Sequence, residues 1–196
     1  MRRTWMVAVA ALILAGGAFA AELVGVPGSG TQYPALFETS VGGKPVKLSL
    51  TGTAMRSKLI VNVYAVGSYV QQGVPVKTGE ELAAADVAKR LHLVMERTVD
   101  GKDMAEAFRA AVRASHPEPE FNEEVTGLVQ YMRSSTARKG DHIYLTHVPG
   151  IGLQINVAGK ADFLIRNVAF SKAVWEIYLG KRNVGEAIKK GLTSRL

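Results

Sequence analysis

The order of predicted elements makes this an α+β chain, with helices packed on one face of a mostly antiparallel sheet. Three observations carry that expectation. Helical patterns are grouped between runs of strands and do not alternate with them one for one. The strand candidates alternate apolar and polar residues, as strands with one solvated face do. No βαβ march is present, which speaks against a doubly wound parallel sheet.

The elements follow in chain order. Residues 1–20 read as a cleavable secretory leader. Arg2 and Arg3 supply the positive start, residues 5–19 are apolar or small, and Ala18-Phe19-Ala20 puts small residues where a signal peptidase reads them. The apolar run is about 15 residues, short of the roughly 20 that a spanning helix needs. The mature chain is therefore expected to begin at Ala21, to form one soluble domain over 21–196, and to be periplasmic or secreted. The stretch 22–45 is rich in Gly, Pro and Thr and predicts short extended pieces and turns, with Val41-Gly42-Gly43-Lys44 as a hairpin turn. Residues 46–50 alternate as a strand. The longest strand is expected over 59–70, which is β-branched, aromatic and free of proline.

An alanine-rich helix is predicted over 80–90, and 91–99 return to strand, with Leu91, Leu93 and Met95 on one face and His92, Val94 and Glu96 on the other. Met104, Phe108, Ala111 and Val112 recur at helical spacing, with Asp103 and Glu106 as a capping pair, until His116-Pro117 stops the helix. A second helix begins near Asn122 and carries the stripe Val125, Leu128, Val129 and Met132. Two strands over 143–157 turn at Pro149-Gly150. A helix over 171–179 is expected to be capped by Ser171 and ended by Gly180. Asn183 with Glu186 caps a last amphipathic helix.

Composition narrows the chemistry. The chain has no cysteine, which excludes disulfides and thiolate metal sites. Its 24 Lys and Arg against 17 Asp and Glu give a net charge of +7, and loss of Arg2 and Arg3 with the leader leaves about +5. The basic residues are scattered, with no recognition helix or aromatic ladder, so nucleic acid is not expected as a partner. Gly28-Ser29-Gly30 and Gly150-Ile151-Gly152 lack the setting of a dinucleotide loop and read as turns. His142 and His147 fall on opposite faces of a strand, His92 and His116 stand alone, and neither a metal site nor a cofactor is called for.

One segment stands apart. If a strand runs unbroken from Arg56, then Arg56, Lys58, Asn62 and Tyr64 share a face. A bulge at Gly67 would bring Tyr69 onto the same face. An arginine with one or two phenols on a strand can clamp an anion, because the guanidinium offers paired donors and each hydroxyl one more. The plainer reading is a solvated strand face.

The pattern Gly52-x-x-x-Arg56-x-Lys58, followed by Val63-Tyr64-Ala65-Val66-Gly67-x-Tyr69, resembles the chalcone isomerase-like superfamily, and in particular its bacterial and fatty-acid-binding branches. The corner Val99-Asp100-Gly101-Lys102-Asp103-Met104 and the run Ala173-Val174-Trp175-Glu176-Ile177-Tyr178-Leu179-Gly180 extend the likeness over residues 48–196. It implies an open-faced β-sandwich, a large sheet backed by helices. In true chalcone isomerases an arginine holds the substrate oxyanion, and this resemblance carries it to Arg56. The family's strand threonine falls at Tyr64, its helix tyrosine at Met104, the neighbouring asparagine near Ala111 and the late threonine near Ile177. Three polar positions are thus apolar here.

The resemblance then implies a binding cleft with Arg56, Tyr64, Tyr69 and Asn62 at an anionic head, and Met104, Phe108, Ala111 and Ile177 along an acyl chain. The expected ligand is a fatty-acid-like amphiphile and the expected protein a non-catalytic binder. Two alternatives stand beside it: an intramolecular lyase acting on a chalcone-like substrate through Arg56, and an envelope interaction module whose cleft has closed.

Overall fold

Alternating strand residues build a curled sheet, and the helices close over one side of it. The computed structural model describes residues 22–196; the expected leader lies outside them. A short ribbon, β1 (Leu23–Gly25) and β2 (Gln32–Pro34), precedes a curled antiparallel sheet of seven strands in sequential order. These are β3 (Leu36–Val41), β4 (Lys44–Lys58), β5 (Val61–Gln71), β6 (Lys89–Met95), β7 (His142–Val148), β8 (Gly152–Val157) and β9 (Phe163–Ile165). The helices are α1 (Gly79–Ala84), α2 (Gly101–Arg113), α3 (Asn122–Arg133), α4 (Val168–Leu179) and α5 (Glu186–Leu192). The α+β class with a helix-backed antiparallel sheet is what the structure has.

Each sheet face carries a core. Alternation in β6 sends Leu91, Leu93 and Met95 toward the helices, where they meet Leu128, Met132, Val174 and Trp175. Helix α4 is apolar nearly all round, as a helix surrounded by neighbours must be, and Phe170, Val174, Trp175 and Leu179 are buried. On the other face the ribbon lays Tyr33 over Leu48, Ala65 and Tyr69 in a second, smaller core.

Several local expectations are corrected. The strand expected over 59–70 is broken at its start: Lys58 pairs with Val61, so Leu59 and Ile60 form a hairpin turn between β4 and β5. Neither residue is a turn former, which is why the turn left no mark in the sequence. Helix α1 ends at Ala84, not Arg90. Lys89 is instead a fully buried strand residue whose ammonium donates to the carbonyls of Leu82, Ala83 and Ala85 at 2.8, 2.6 and 2.7 Å, closing the C-terminus of α1. Asp100, not Asp103, caps α2, accepting from the Asp103 amide at 2.9 Å. Asn167, not Ser171, caps α4, and Ser171 sits inside the helix. Gly185 is the cap residue of α5, which Asn183 braces from outside by a 2.7 Å bond to Glu186.

The β4–β5 register slips twice. Leu50 opposes Tyr69 while Gly52 opposes Ser68, leaving Thr51 as the extra residue on β4. Its hydroxyl reaches the Leu192 carbonyl at 2.8 Å and ties α5 to the sheet. Gly52 beside it has φ +154, and a Cβ there would lie 2.1 Å from the Gly191 carbonyl oxygen, so only glycine lets α5 approach this closely. The second slip leaves Val63 unpaired between Arg56–Tyr64 and Ser57–Asn62, and it reorients the residues nearest the turn.

Candidate functional site

The space between the sheet and helices α2, α3 and α4 is not filled. It is an apolar cavity of about 190 Å3, and its polar groups gather at the end nearest the β4–β5 turn. Leu93, Met95, Ile143 and Leu145 form the sheet wall. Met104, Phe108 and Ala111 recur at four- and three-residue steps on α2 and line the opposite wall together. Ile177 and Tyr178 of α4 also line it, Arg56, Lys58 and Tyr64 come from the hairpin, and Asp103 comes from the first turn of α2.

Arg56 and Tyr64 face each other directly across β4 and β5. The guanidinium is half-buried and donates to the Ser57 carbonyl at 3.0 Å. Among the described residues no carboxylate lies within 4.0 Å of it. The Tyr64 and Tyr178 hydroxyls are 3.3 Å apart. Burial pushes the Tyr64 phenol upward, opposed by the Tyr178 hydrogen bond and by the nearby Arg56 charge. Burial and the neighbouring Tyr64 raise Tyr178 well above its ordinary value. Both phenols therefore stay protonated at neutral pH. Two hydroxyls have two protons; their mutual bond uses one, and the other remains available to an acceptor in the cavity.

Residues 29–193 match the chalcone isomerase-like family. The chain belongs to that family. A crystal structure of a fatty-acid binding protein from Arabidopsis thaliana has the same fold, with a TM-score of 0.68 over 88% of this chain and 96% of that one. The two sequences are 18% identical, so the likeness is one of fold. No curated protein matches the sequence.

Of the residues that the family resemblance singles out, the structure brings Arg56, Tyr64, Met104, Phe108, Ala111 and Ile177 to one cavity. Two others do not belong there. Tyr69 lies on the opposite face of the sheet, fully buried, with its hydroxyl donating to the Pro34 carbonyl at 3.1 Å. The expected bulge at Gly67 does not occur: β5 pairs with β6 without a slip from Tyr64 to Val70, so Tyr69 keeps the parity of Ala65. Gly67 serves another purpose, since a Cβ there would come within 2.9 Å of the Tyr33 ring that lies on it. Asn62 is exposed and donates to the Gly28 carbonyl at 3.2 Å, turned out of the cavity by the slip at Val63. The reading of individual residues missed Tyr178, although it is the immediate neighbour of Ile177 in a motif that the resemblance quotes.

The histidines are not isolated. His92 Nε2 and His142 Nδ1 are 2.7 Å apart on the sheet face away from the cavity. Burial chiefly, then the neighbouring His142 and Arg90, push His92 down to about 3. His116 contacts Glu120 and Glu176. His147 is fully buried, with Nε2 2.8 Å from Asp86 and Nδ1 2.7 Å from the Ser171 hydroxyl. Burial pushes it down to about 4 despite the carboxylate. It is therefore neutral, donating to Asp86 and accepting from Ser171. Ser171 is itself fully buried, so this Ser-His-Asp set has no room for a substrate and acts as a brace between α4 and the sheet. Among the described residues no group of three or more His, Asp or Glu is placed to hold a metal, and no helix is long and apolar enough to cross a membrane.

Proposed function

We propose that this chalcone isomerase-like protein binds a single-chain amphiphile with a carboxylate head. One observation carries the reading: a half-buried arginine without a carboxylate partner stands at the polar end of an otherwise apolar cavity, opposite two protonated phenols. A charge drawn partly out of water is costly while unpaired, and an incoming carboxylate relieves that cost. Arg56 then supplies paired donors and the Tyr64–Tyr178 pair a further one. The acyl chain lies between Met104, Phe108 and the sheet wall, where each buried methylene contributes about 0.8 kcal/mol. The fatty-acid-binding neighbour in the same fold supports the choice of ligand class. Cyclisation of a chalcone is not favoured, since Met104, Ala111 and Ile177 are apolar where the resemblance puts the enzymes' polar groups. The leader composition supports action outside the cytoplasm, and N-terminal sequencing of the native protein from an envelope fraction should begin at Ala21.

The deciding experiment is calorimetric titration with saturated fatty acids of increasing length at fixed salt. A hydrogen-bonded charge is worth about 1.5–3 kcal/mol, so Arg56→Ala should weaken binding roughly ten- to hundredfold or more. A cavity of about 190 Å3 is somewhat larger than the engineered cavity of about 150 Å3 that holds benzene. Affinity should therefore climb with chain length and level off once further methylenes require Met104 or Phe108 to swing aside. No binding by the unaltered protein, or equal binding by Arg56→Ala, refutes the reading.

A further inference from the structure

Leu59 and Ile60 are 95% and 97% exposed, the two most exposed large apolar side chains among the described residues. Val61 beside them is 45% exposed. Leu59 takes a positive φ of 57 at the first position of the two-residue turn. That conformation crowds a Cβ, and hairpins favour glycine there. A turn selected for stability alone would carry neither the strain nor the wet leucine and isoleucine.

The surroundings point to an occupant. The C-terminal ends of β4 and β6 and the N-terminal end of β7 lie at one end of the sheet, since these strands alternate in direction. Lys58, Arg97, Arg138 and Lys139 collect there, and none has a carboxylate within 4.0 Å among the described residues. The carboxylates at this end are held by neutral donors and pair with none of these cations: Glu96 accepts from Ser29 and Thr31, Asp100 from the Asp103 amide at 2.9 Å, and Asp141 from the Arg138 amide at 2.7 Å. Asp103 is exposed at the cavity. An apolar tip on an end of the sheet that carries four cations without carboxylate partners matches a surface of anionic head groups over hydrocarbon. A folded protein partner fits less well. Stable protein interfaces bury about 800 Å2 on each side, and two projecting side chains offer far less.

We propose that the Leu59-Ile60 turn is a docking tip for an anionic lipid surface. Lys58, the residue before it, lines the cavity, so docking would hold the cavity's polar end against the head groups. The inference goes beyond the ligand reading and does not rest on it.

The test compares the parent protein with Leu59→Gly/Ile60→Asn, both carrying the same N-terminus, so that any contribution of the leader cancels. Glycine and asparagine suit this turn, and the variant should melt no lower than the parent. In co-sedimentation with phosphatidylglycerol–phosphatidylcholine vesicles, the parent should bind, bind less as salt rises, and bind weakly to pure phosphatidylcholine. The variant should lose at least tenfold in affinity. The chain has no cysteine, so Ile60→Cys with an environment-sensitive fluorophore reports on this position alone, and its emission should shift to the blue on vesicle binding. A parent that ignores anionic vesicles, a variant that binds them equally well, or an unshifted probe each overturns the proposal. Fatty-acid titration of the variant in vesicle-free buffer should match the parent. Failure of ligand binding in both proteins would count against the ligand reading and leave the vesicle result standing by itself.

Discussion

Tyr64 and Tyr69 stand on one strand at an odd separation, and they serve opposite faces of the sheet. Tyr64→Phe removes a phenol from the cavity, and fatty-acid affinity should fall several-fold, less than for Arg56→Ala, because the ring stays and one donor goes. Tyr69→Phe removes the bond to the Pro34 carbonyl. It should cost about 1 kcal/mol of stability, read by urea unfolding, and leave the titration unchanged. Equal effects of the two substitutions on binding would show that the faces have been misassigned. The site was legible in the sequence where helical spacing decides it, as for Met104, Phe108 and Ala111; Arg56 and Tyr64 do come together, but as a direct pair across the β4–β5 turn and not by parity along one unbroken strand. It was illegible for Tyr69 and Asn62, because strand parity is absolute only while the register is unbroken. Two slips, at Thr51 and Val63, stand where none was expected, and the one expected at Gly67 is absent.

The β4–β5 hairpin is the element on which the molecule depends most. It contributes the cavity's two cations, Arg56 and Lys58, and a phenol, receives α5 at Thr51 and Gly52, and bears the ribbon on its other side. Gly52→Ala should be among the most damaging single changes, because the added methyl overlaps the Gly191 carbonyl and the backbone angle is foreign to alanine. Thermal or urea unfolding should show a loss of at least about 3 kcal/mol. A loss under 1 kcal/mol would mean that α5 can move away without cost. The sequence revealed the Gly42-Gly43 turn, whose residues are turn formers, and hid the Leu59-Ile60 turn, which has none. Helix caps were misplaced by a few residues for a related reason: Asp100, Asp103, Asn167 and Ser171 are all competent caps, and tertiary packing chooses between them.

At the scale of the whole molecule the fold class was legible because element order reflects layer order. The second core was not, since residues 22–34 have too little pattern to announce that Tyr33 becomes fully buried. Acid should loosen the structure. An unfolded histidine takes its proton near pH 6.5, whereas folded His147 does so only near 4 and His92 near 3. Over that window the unfolded chain binds more protons, so stability falls as pH drops below 6.5. His147 alone accounts for up to about 3 kcal/mol. Asp86, held below the ordinary carboxylate value by its hydrogen bonds to His147 and the Gly150 amide, adds a loss of the same sign as pH falls further. Urea midpoints at pH 7 and pH 4.5 should differ accordingly, and His147→Gln should be weaker at pH 7 but flatter across the range. The contact between Gly67 and Tyr33 has a further consequence. Tyr33 fits the sheet as a peg fits a socket, so a single methyl in Gly67→Ala would be felt at the far end of the chain as an unseated ribbon. Protease would then trim the first residues while the seven strands persist. The bared aromatics Tyr69 and His92 would become adhesive, and the protein's shelf life in solution would shorten.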